Sequence, residues 1–230
     1  MTIEENIATV NKTLRELEKL FGRDLNSVVL LAVSKGQSIE KIEEAIRAGQ
    51  RAFGENYLQE ALSKIEILSH HALEWHFIGP IQSNKTKKIA ESFSWVHSVS
   101  EANIATRLNN QRPAALPPLN ICLQVNVSQE KSKSGAHFDE ICALAEHCAT
   151  LSRLKLRGLM TIPSPKTHFI EQRAEFYKLR LAYELLIEKG FKLDTLSMGM
   201  SDDLPAAVAE GATIVRIGKK IFGERGAIIP

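Results

Sequence analysis

Residues 28–54 have the sequence VVLLAVSKGQSIEKIEEAIRAGQRAFG. A short apolar run is followed by a stretch of helical periodicity, and a second short run follows Gly49. This pattern predicts a strand, a helix that ends at Gly49 and another strand. A helix placed between two consecutive strands is typical of a parallel pair with a crossover connection. The stretch therefore predicts one βα unit of an α/β fold.

The same alternation continues along the rest of the chain. Eight strands are predicted, at 28–34, 51–54, 75–79, 95–99, 121–127, 156–162, 195–199 and 213–218. Helices are predicted between them, at 38–49, 57–69, 83–91, 101–110, 137–149, 168–189 and 203–211, with a proline-rich loop at 111–119. Eight such units in about 200 residues predict a (β/α)8 TIM-type barrel, with residues 1–230 as a single domain. The alternative is an open doubly wound sheet, which usually has fewer strands and carries a GxGxxG turn that is missing after the first strand here.

An extra helix is predicted before the first strand. Its apolar residues are alternately four and three positions apart, which puts them on one helical face. Gly22 is expected to end this helix. The apolar face consists of Ile3, Ile7, Val10, Leu14, Leu17 and Phe21.

Charge, hydropathy and cysteine content exclude several classes of protein. A net charge of +2 gives no overall field that would attract nucleic acid or an anionic membrane. The acidic start of the chain has no apolar signal segment, and the apolar run 28–33 is too short to span a bilayer. Cys122, Cys142 and Cys148 form no CxxC pair, which predicts reduced thiols. We therefore expect a cytoplasmic protein with neither nucleic acid nor a membrane as a partner. A monomer is also expected, although no feature of the sequence determines the oligomeric state.

The seven histidines do not predict a metal site. His76 and His97 lie in predicted strands, whereas His70 and His71 are adjacent at the end of a helix. Neither HxxxH nor HExxH spacing occurs in the chain, so no metal ion is expected.

Barrel enzymes place their sites at the C-terminal ends of the strands. The first strand ends at Lys35, directly after an apolar run. Position alone favours a solvated lysine at a strand end. The alternative is an amine nucleophile, because apolar surroundings favour the neutral amine, which can condense with an aldehyde.

The loops after strands seven and eight are where barrels often bind phosphate. Here these loops contain Gly199, Ser201 and Gly218. Glycines allow backbone N–H groups to approach an anion closely, and Ser201 offers a hydroxyl group near the start of the next helix. A plain helix cap with two ordinary turns is the alternative. Asp202 and Asp203 would repel phosphate, so they are expected to cap the helix and point away.

Three other basic residues are candidates for anion contacts. Arg216 interrupts an apolar strand and shares a strand face with Ile214 and Gly218. A charge inside a barrel is costly without a partner, so Arg216 either faces a ligand, which we favour, or pairs with a carboxylate. Lys131 and Lys133 are expected in a solvated loop, with a secondary phosphate contact as the alternative.

Seven blocks in order along the chain resemble the pyridoxal 5′-phosphate (PLP) homeostasis protein family, the YggS/PROSC-like proteins. The resemblance covers nearly the whole length, and seven ordered blocks are not expected by chance. Gly36 and Gln37 replace the more usual Thr-Lys type of residues, a departure that is not expected to affect Lys35. The blocks are AVSK (32–35), FGENYLQE (53–60), WHFIGPIQSNK (75–85), QVNVSQEKSKSG (124–135), RGLMTIP (157–163), LSMGMSDD (196–203) and VRIGKKIFGER (215–225).

The resemblance implies a fold like the barrel domain of bacterial alanine racemase, with PLP held as a Schiff base on Lys35. It also implies phosphate contacts around Ser201, Arg216 and Gly218, with Asn56 near the cofactor. In the racemase fold an arginine faces the pyridine nitrogen, so Arg216 has two candidate roles. The function implied is a non-catalytic carrier that buffers PLP or delivers it, with apo forms of PLP-dependent enzymes as the recipients.

Two enzymatic alternatives stay open at this point. A PLP-dependent racemase needs a second acid/base, which alanine racemase takes from a separate β-domain and a dimer partner. This chain ends soon after strand eight, so no such domain is expected. A Schiff-base aldolase acting on a sugar phosphate would favour a lysine on a later strand, and it leaves the seven blocks unexplained.

Overall fold

The computed structural model describes residues 1–128, 130 and 134–223. Within these residues, eight parallel strands follow one another around a closed barrel in the order of the sequence. Lys131 and Lys133 lie outside the described residues. The strands are β1 (Val29–Val33), β2 (Ala52–Glu55), β3 (Glu74–Phe77), β4 (Trp95–Val99), β5 (Leu119–Gln124), β6 (Leu154–Met160), β7 (Thr195–Ser197) and β8 (Ile214–Ile217).

Pairing between the first and last strands closes the barrel. Val29 of β1 lies opposite Ile214 of β8, and Ala32 lies opposite Ile217. Both strands also pair with their neighbours in sequence, so the sheet has no free edge. The predicted (β/α)8 barrel is confirmed, and the open doubly wound sheet is excluded.

The helices lie in the predicted places with shifted ends. The helix predicted at 137–149 begins only at Ile141, because residues 138–140 form a turn in which the His137 N–H donates to the Glu140 carboxylate. The helices are α1 (Ile3–Leu20), α2 (Ile39–Arg47), α3 (Leu58–Ile67), α4 (Thr86–Ser92), α5 (Ala102–Gln111), α6 (Ile141–Ala149), α7 (Phe169–Glu188), α8 (Leu204–Ala209) and α9 (Lys219–Phe222), with a 3₁₀ turn at Ser83–Lys85. The last of them, α9, was not predicted. None of the helices in the described part of the chain is long and apolar enough to span a membrane.

The N-terminal helix α1 is tied to the start of the barrel. Thr2 and Glu5 form a capping box at its beginning, and its apolar face packs against α2, α8 and α9. Glu18, near its end, is fully buried and accepts hydrogen bonds from the N–H groups of Asn26 and Val28. Helix α1 therefore fixes the point where the chain enters β1.

The barrel interior is separate from the main core, which lies between the strands and the helices. Two small apolar clusters fill parts of it: Leu31, Val33, Ile78 and Ile214 form one, and Trp95, Cys122 and Met160 form the other. Burial raises the pKa of the Cys122 thiol to about 12, so this thiol stays protonated at neutral pH.

Candidate functional site

A cavity of about 550 Å³ opens at the C-terminal ends of β1, β2 and β8. It brings together the five predicted site residues, which come from four separate parts of the sequence. These are Lys35, Asn56, Ser201, Arg216 and Gly218. The other residues that line the cavity are Val33, Ile78, Ile162, Met200, Asp202, Lys219 and Lys220.

The backbone on both sides of Lys35 is held by side chains of α3. The Ser34 carbonyl oxygen accepts a hydrogen bond from Lys64 Nζ at 2.7 Å, and the Gly36 N–H donates to Glu60 Oε1 at 2.6 Å. Gly36 has a φ of 69°, a left-handed conformation that glycine adopts without strain. The half-buried Lys35 therefore projects from a fixed point of the backbone.

A buried carboxylate completes this arrangement. Glu55 is fully buried at the end of β2, and its Oε1 accepts from Lys64 Nζ at 2.8 Å and from Ser34 Oγ at 2.6 Å. Burial raises the pKa of Glu55, and the Lys64 charge opposes that rise. We call Ser34, Glu55, Glu60 and Lys64 the Lys35 clamp. The clamp was not predicted from the sequence, although Glu60 and Lys64 have the i,i+4 spacing of a helical ion pair.

Arg216 forms part of the cavity and is itself only 5% exposed. Its Nη1 donates to the Ser197 carbonyl oxygen at 2.7 Å and to Ser197 Oγ at 2.9 Å, and its Nη2 donates to the Thr161 carbonyl oxygen at 2.8 Å. No salt bridge joins Arg216 to a carboxylate of residues 1–128, 130 or 134–223, so the ligand-facing alternative is favoured. Burial lowers its pKa to about 10, which still leaves the guanidinium charged at neutral pH.

The loops after β7 and β8 form one wall of the cavity. Ser201 lies in the turn before α8, and its carbonyl oxygen accepts from Lys220 Nζ at 2.7 Å. A Cβ atom at Gly218 would come within 3.1 Å of the Val33 carbonyl oxygen. A larger residue at 218 would therefore press on the end of β1 beside Lys35.

Asn56 contributes a polar atom without a partner. Its Oδ1 is buried and accepts no hydrogen bond from the described residues, although Asn56 lines the cavity. Buried polar atoms are normally paired, so this atom is suited to a contact with a bound molecule.

Known proteins identify the family to which the chain belongs. Residues 3–226 match the family model described as the alanine racemase N-terminal domain. A pyridoxal phosphate homeostasis protein of Pseudomonas aeruginosa is 58% identical over 224 residues, which is 97% of this chain and 96% of that protein. The chain belongs to the pyridoxal phosphate homeostasis protein family.

Solved structures share the fold of this homeostasis-family chain. PipY of Synechococcus elongatus, solved with PLP bound, has a TM-score of 0.83 and 36% sequence identity, and the match covers 96% of this chain and 100% of PipY. Alanine racemase of Corynebacterium glutamicum has a TM-score of 0.70 at 15% identity, over 100% of this chain and 65% of the racemase. The second match shows that the barrel is of the alanine racemase type.

Two predictions about the loop after β7 need correction in this homeostasis-family chain. Gly199 does not line the cavity; its φ is 97°, and a Cβ there would lie 2.5 Å from Ala207 Cβ, so it serves close packing against α8. Asp203 occupies the N-cap position of α8, but its Oδ1 accepts from the Met200 N–H at 2.6 Å instead of capping the helix. Asp202 belongs to the lining of the cavity.

Sequence analysis also missed two basic residues. Lys219 and Lys220 line the cavity, so with Lys35 and Arg216 its lining has four basic residues and one acidic residue, Asp202. The available signal was a pair of lysines directly after Gly218, the residue that follows β8. The excess of positive charge favours an anionic ligand.

A neighbouring cavity of about 660 Å³ lies over the ends of β4 and β5. Its described lining contains Glu101 and Glu140 but neither lysine nor arginine. It therefore lacks both the amine and the positive charge of the cavity at Lys35, which is the better candidate for the functional site.

Proposed function

We propose that this protein binds PLP in the cavity at Lys35 and takes part in PLP homeostasis. The observation that carries the proposal is that a lysine amine, a charged arginine and two polar loops line one basic cavity. Its membership of a family whose Pseudomonas aeruginosa relative is named a pyridoxal phosphate homeostasis protein supports the same function. Lys35 Nζ would form a Schiff base with the aldehyde of PLP, releasing water.

The residues present fit the other parts of PLP. Ser201, Gly218 and the lysines that follow β8 supply hydrogen-bond donors and positive charge suited to the phosphate. The unpaired oxygen of Asn56 supplies a further polar contact. When bound, PLP supplies an electron-accepting ring to amines that condense with it.

We assign Arg216 to the ring nitrogen of PLP and not to the phosphate. Its guanidinium is tied to Ser197 and Thr161 at the level of the strands, whereas Ser201 and Gly218 lie in the loops beyond them. Because Arg216 stays protonated at neutral pH, it would keep the facing ring nitrogen unprotonated. A ring in that state withdraws electrons weakly, which disfavours reactions that depend on strong electron withdrawal by the ring.

The role supported by these features is that of a non-catalytic carrier. It would buffer PLP, or deliver it to apo forms of PLP-dependent enzymes, and it would act as a cytoplasmic monomer. An exchangeable Schiff base on Lys35 would serve both the capture and the release of PLP. Delivery would therefore need no residues beyond those that hold the cofactor.

Borohydride reduction of the PLP-loaded protein tests the proposal. Reduction should fix one pyridoxyl group per chain, and peptide mass spectrometry should find it on Lys35. Lys219 and Lys220 line the same cavity and serve as internal controls that should stay unmodified. A label on either of them, or no label at all, would contradict the proposed attachment.

We predict that the loaded protein does not turn over amino acids. Racemisation needs an acid/base on each face of the cofactor, and each is worth about 10²- to 10⁴-fold in rate. The described lining of the cavity contains no histidine, cysteine or tyrosine, and its other acid/base groups, Asp202, Lys219 and Lys220, come from the loops after β7 and β8 that we assign to the phosphate. The assay follows α-proton exchange in deuterated water and chirality for a panel of L- and D-amino acids. Steady turnover that disappears in Lys35→Ala would contradict the carrier role and indicate a racemase-type enzyme.

A further inference from the structure

A line of polar side chains crosses the barrel interior and ends at Arg216. His76 and His97 are 1% and 0% exposed, and His76 Nδ1 lies 2.9 Å from His97 Nε2. His97 Nδ1 lies 2.8 Å from Ser197 Oγ, the atom that also accepts from Arg216 Nη1. At the other end, His76 Nε2 lies 2.8 Å from Glu74 Oε1 at the start of β3. Five side chains therefore form one continuous chain of hydrogen bonds.

The direction of every hydrogen bond in this chain follows from its ends. A carboxylate only accepts, so His76 Nε2 must carry the proton that is donated to Glu74. A neutral His76 then accepts at Nδ1, so His97 must donate from Nε2 and accept at its own Nδ1. The remaining donor for that nitrogen is the Ser197 hydroxyl group, which leaves the Ser197 oxygen free to accept from Arg216.

The electrostatics agree with these protonation states. The hydrogen bond from His76 lowers the pKa of Glu74, which keeps it a carboxylate. Burial lowers the pKa of both histidines; the Glu74 carboxylate opposes this shift at His76, whereas the Arg216 charge adds to it at His97. The imidazoles are therefore neutral at neutral pH. In the described part of the chain, no three or more histidine, cysteine, aspartate or glutamate side chains are arranged so that they could hold a metal ion.

We propose that Glu74, His76, His97 and Ser197 are positioning residues that fix the Arg216 guanidinium in the cavity. The chain commits the Ser197 proton to His97, so the Ser197 oxygen always presents a lone pair to Arg216. This arrangement holds a buried cation in one orientation without a carboxylate partner. The role of the positioned guanidinium rests on the proposed PLP site, whereas the chain of hydrogen bonds itself does not.

The first test measures the histidine tautomers in the ligand-free protein. Nitrogen-15 NMR of the imidazole groups should find His76 and His97 neutral and protonated at Nε2 at neutral pH. The five other histidines serve as references in the same spectrum. An Nδ1-protonated or doubly protonated ring at either position would contradict the proposed directions of these hydrogen bonds. Because this measurement uses unmodified protein without PLP, it stands whether or not the proposed function holds.

The second test interrupts this series of hydrogen bonds at His97, a residue that makes no hydrogen bond to Arg216. His97→Phe keeps a ring but removes the acceptor for the Ser197 hydroxyl group. We expect PLP and pyridoxal to bind about tenfold more weakly or worse, by the same factor, with a changed visible spectrum of bound PLP. Cys122→Ala is the control, because Cys122 is buried in the barrel but takes no part in this series of hydrogen bonds. It should change the affinity for either compound less than about twofold.

Two results would separate the possible failures. If His97→Phe binds both compounds like Cys122→Ala, the positioning role is wrong even though PLP binds. If the unmodified protein binds no PLP, the proposed function fails. The tautomer measurement alone then tests the proposed series of hydrogen bonds. Should His97→Phe not fold, that same measurement still tests the hydrogen-bond directions.

Discussion

Lys35→Ala is expected to abolish both the visible absorption of bound PLP and the borohydride label. The amine is the only group of that side chain that can condense with the aldehyde, so the covalent bond is lost completely. PLP should still bind weakly through its phosphate. Absorption spectra and intact-protein mass spectrometry before and after reduction measure the loss. Lys220→Ala removes a lysine that we assign to the phosphate, so at saturating PLP it should keep both the band and the label.

The fold of Lys35→Ala should be unchanged, because the clamp holds the backbone on both sides of residue 35 without using its side chain. A typical single substitution costs about 1 kcal/mol of stability. For a domain of this size that corresponds to about 2–4 °C in melting temperature, so the variant should still be folded at room temperature. If Lys35→Ala retained a borohydride-reducible label elsewhere, Lys35 would not be the attachment site.

Pyridoxal, which lacks the phosphate, is expected to bind at least about a hundredfold more weakly than PLP. A hydrogen bond to a charged group contributes roughly 1.5–3 kcal/mol, and two or more are expected around the phosphate. Competition between the two compounds in an equilibrium titration measures the ratio. Equal affinities would remove phosphate recognition from the proposed site.

Two variants locate that recognition. Ser201→Ala should reduce the ratio of the affinity for PLP to the affinity for pyridoxal, because it removes a hydroxyl group from the wall assigned to the phosphate. Arg216→Gln should weaken the binding of both compounds and leave the ratio of their affinities nearly unchanged, because Arg216 is assigned to the ring. If Arg216→Gln instead narrowed the ratio, Arg216 would be a phosphate contact, which is the other role considered from the sequence.

The fold was predictable because its signals are local. Each apolar run gave a strand, and Gly49, Gly190 and Gly211, which follow helices, all adopt left-handed conformations with φ between 91° and 95°. The ends of elements were less predictable. The turn at 138–140 and the short helix α9 depend on single side-chain contacts and on packing against α1, which periodicity does not reveal.

The candidate site was predictable only as far as strand ends and family motifs reach. Lys35, Asn56 and Ser201 follow strands, and the barrel brings the ends of strands together. The hydrogen bonds behind them depend on which side chains meet inside the barrel. His97 and Ser197 are 100 residues apart in the sequence, and Ser34 and Lys64 are 30 apart. Nothing in the spacing of either pair predicts contact.

The Lys35 clamp also has a consequence for the rate at which cargo is exchanged. With the peptide groups on both sides of Lys35 anchored to α3, the freedom left at this point lies in the rotatable bonds of one side chain. Rotamer changes of partly exposed side chains take picoseconds to nanoseconds, far less than loop opening. The time for which PLP stays bound should therefore be governed by imine chemistry and phosphate release. Backbone motion at the attachment point should not limit that time.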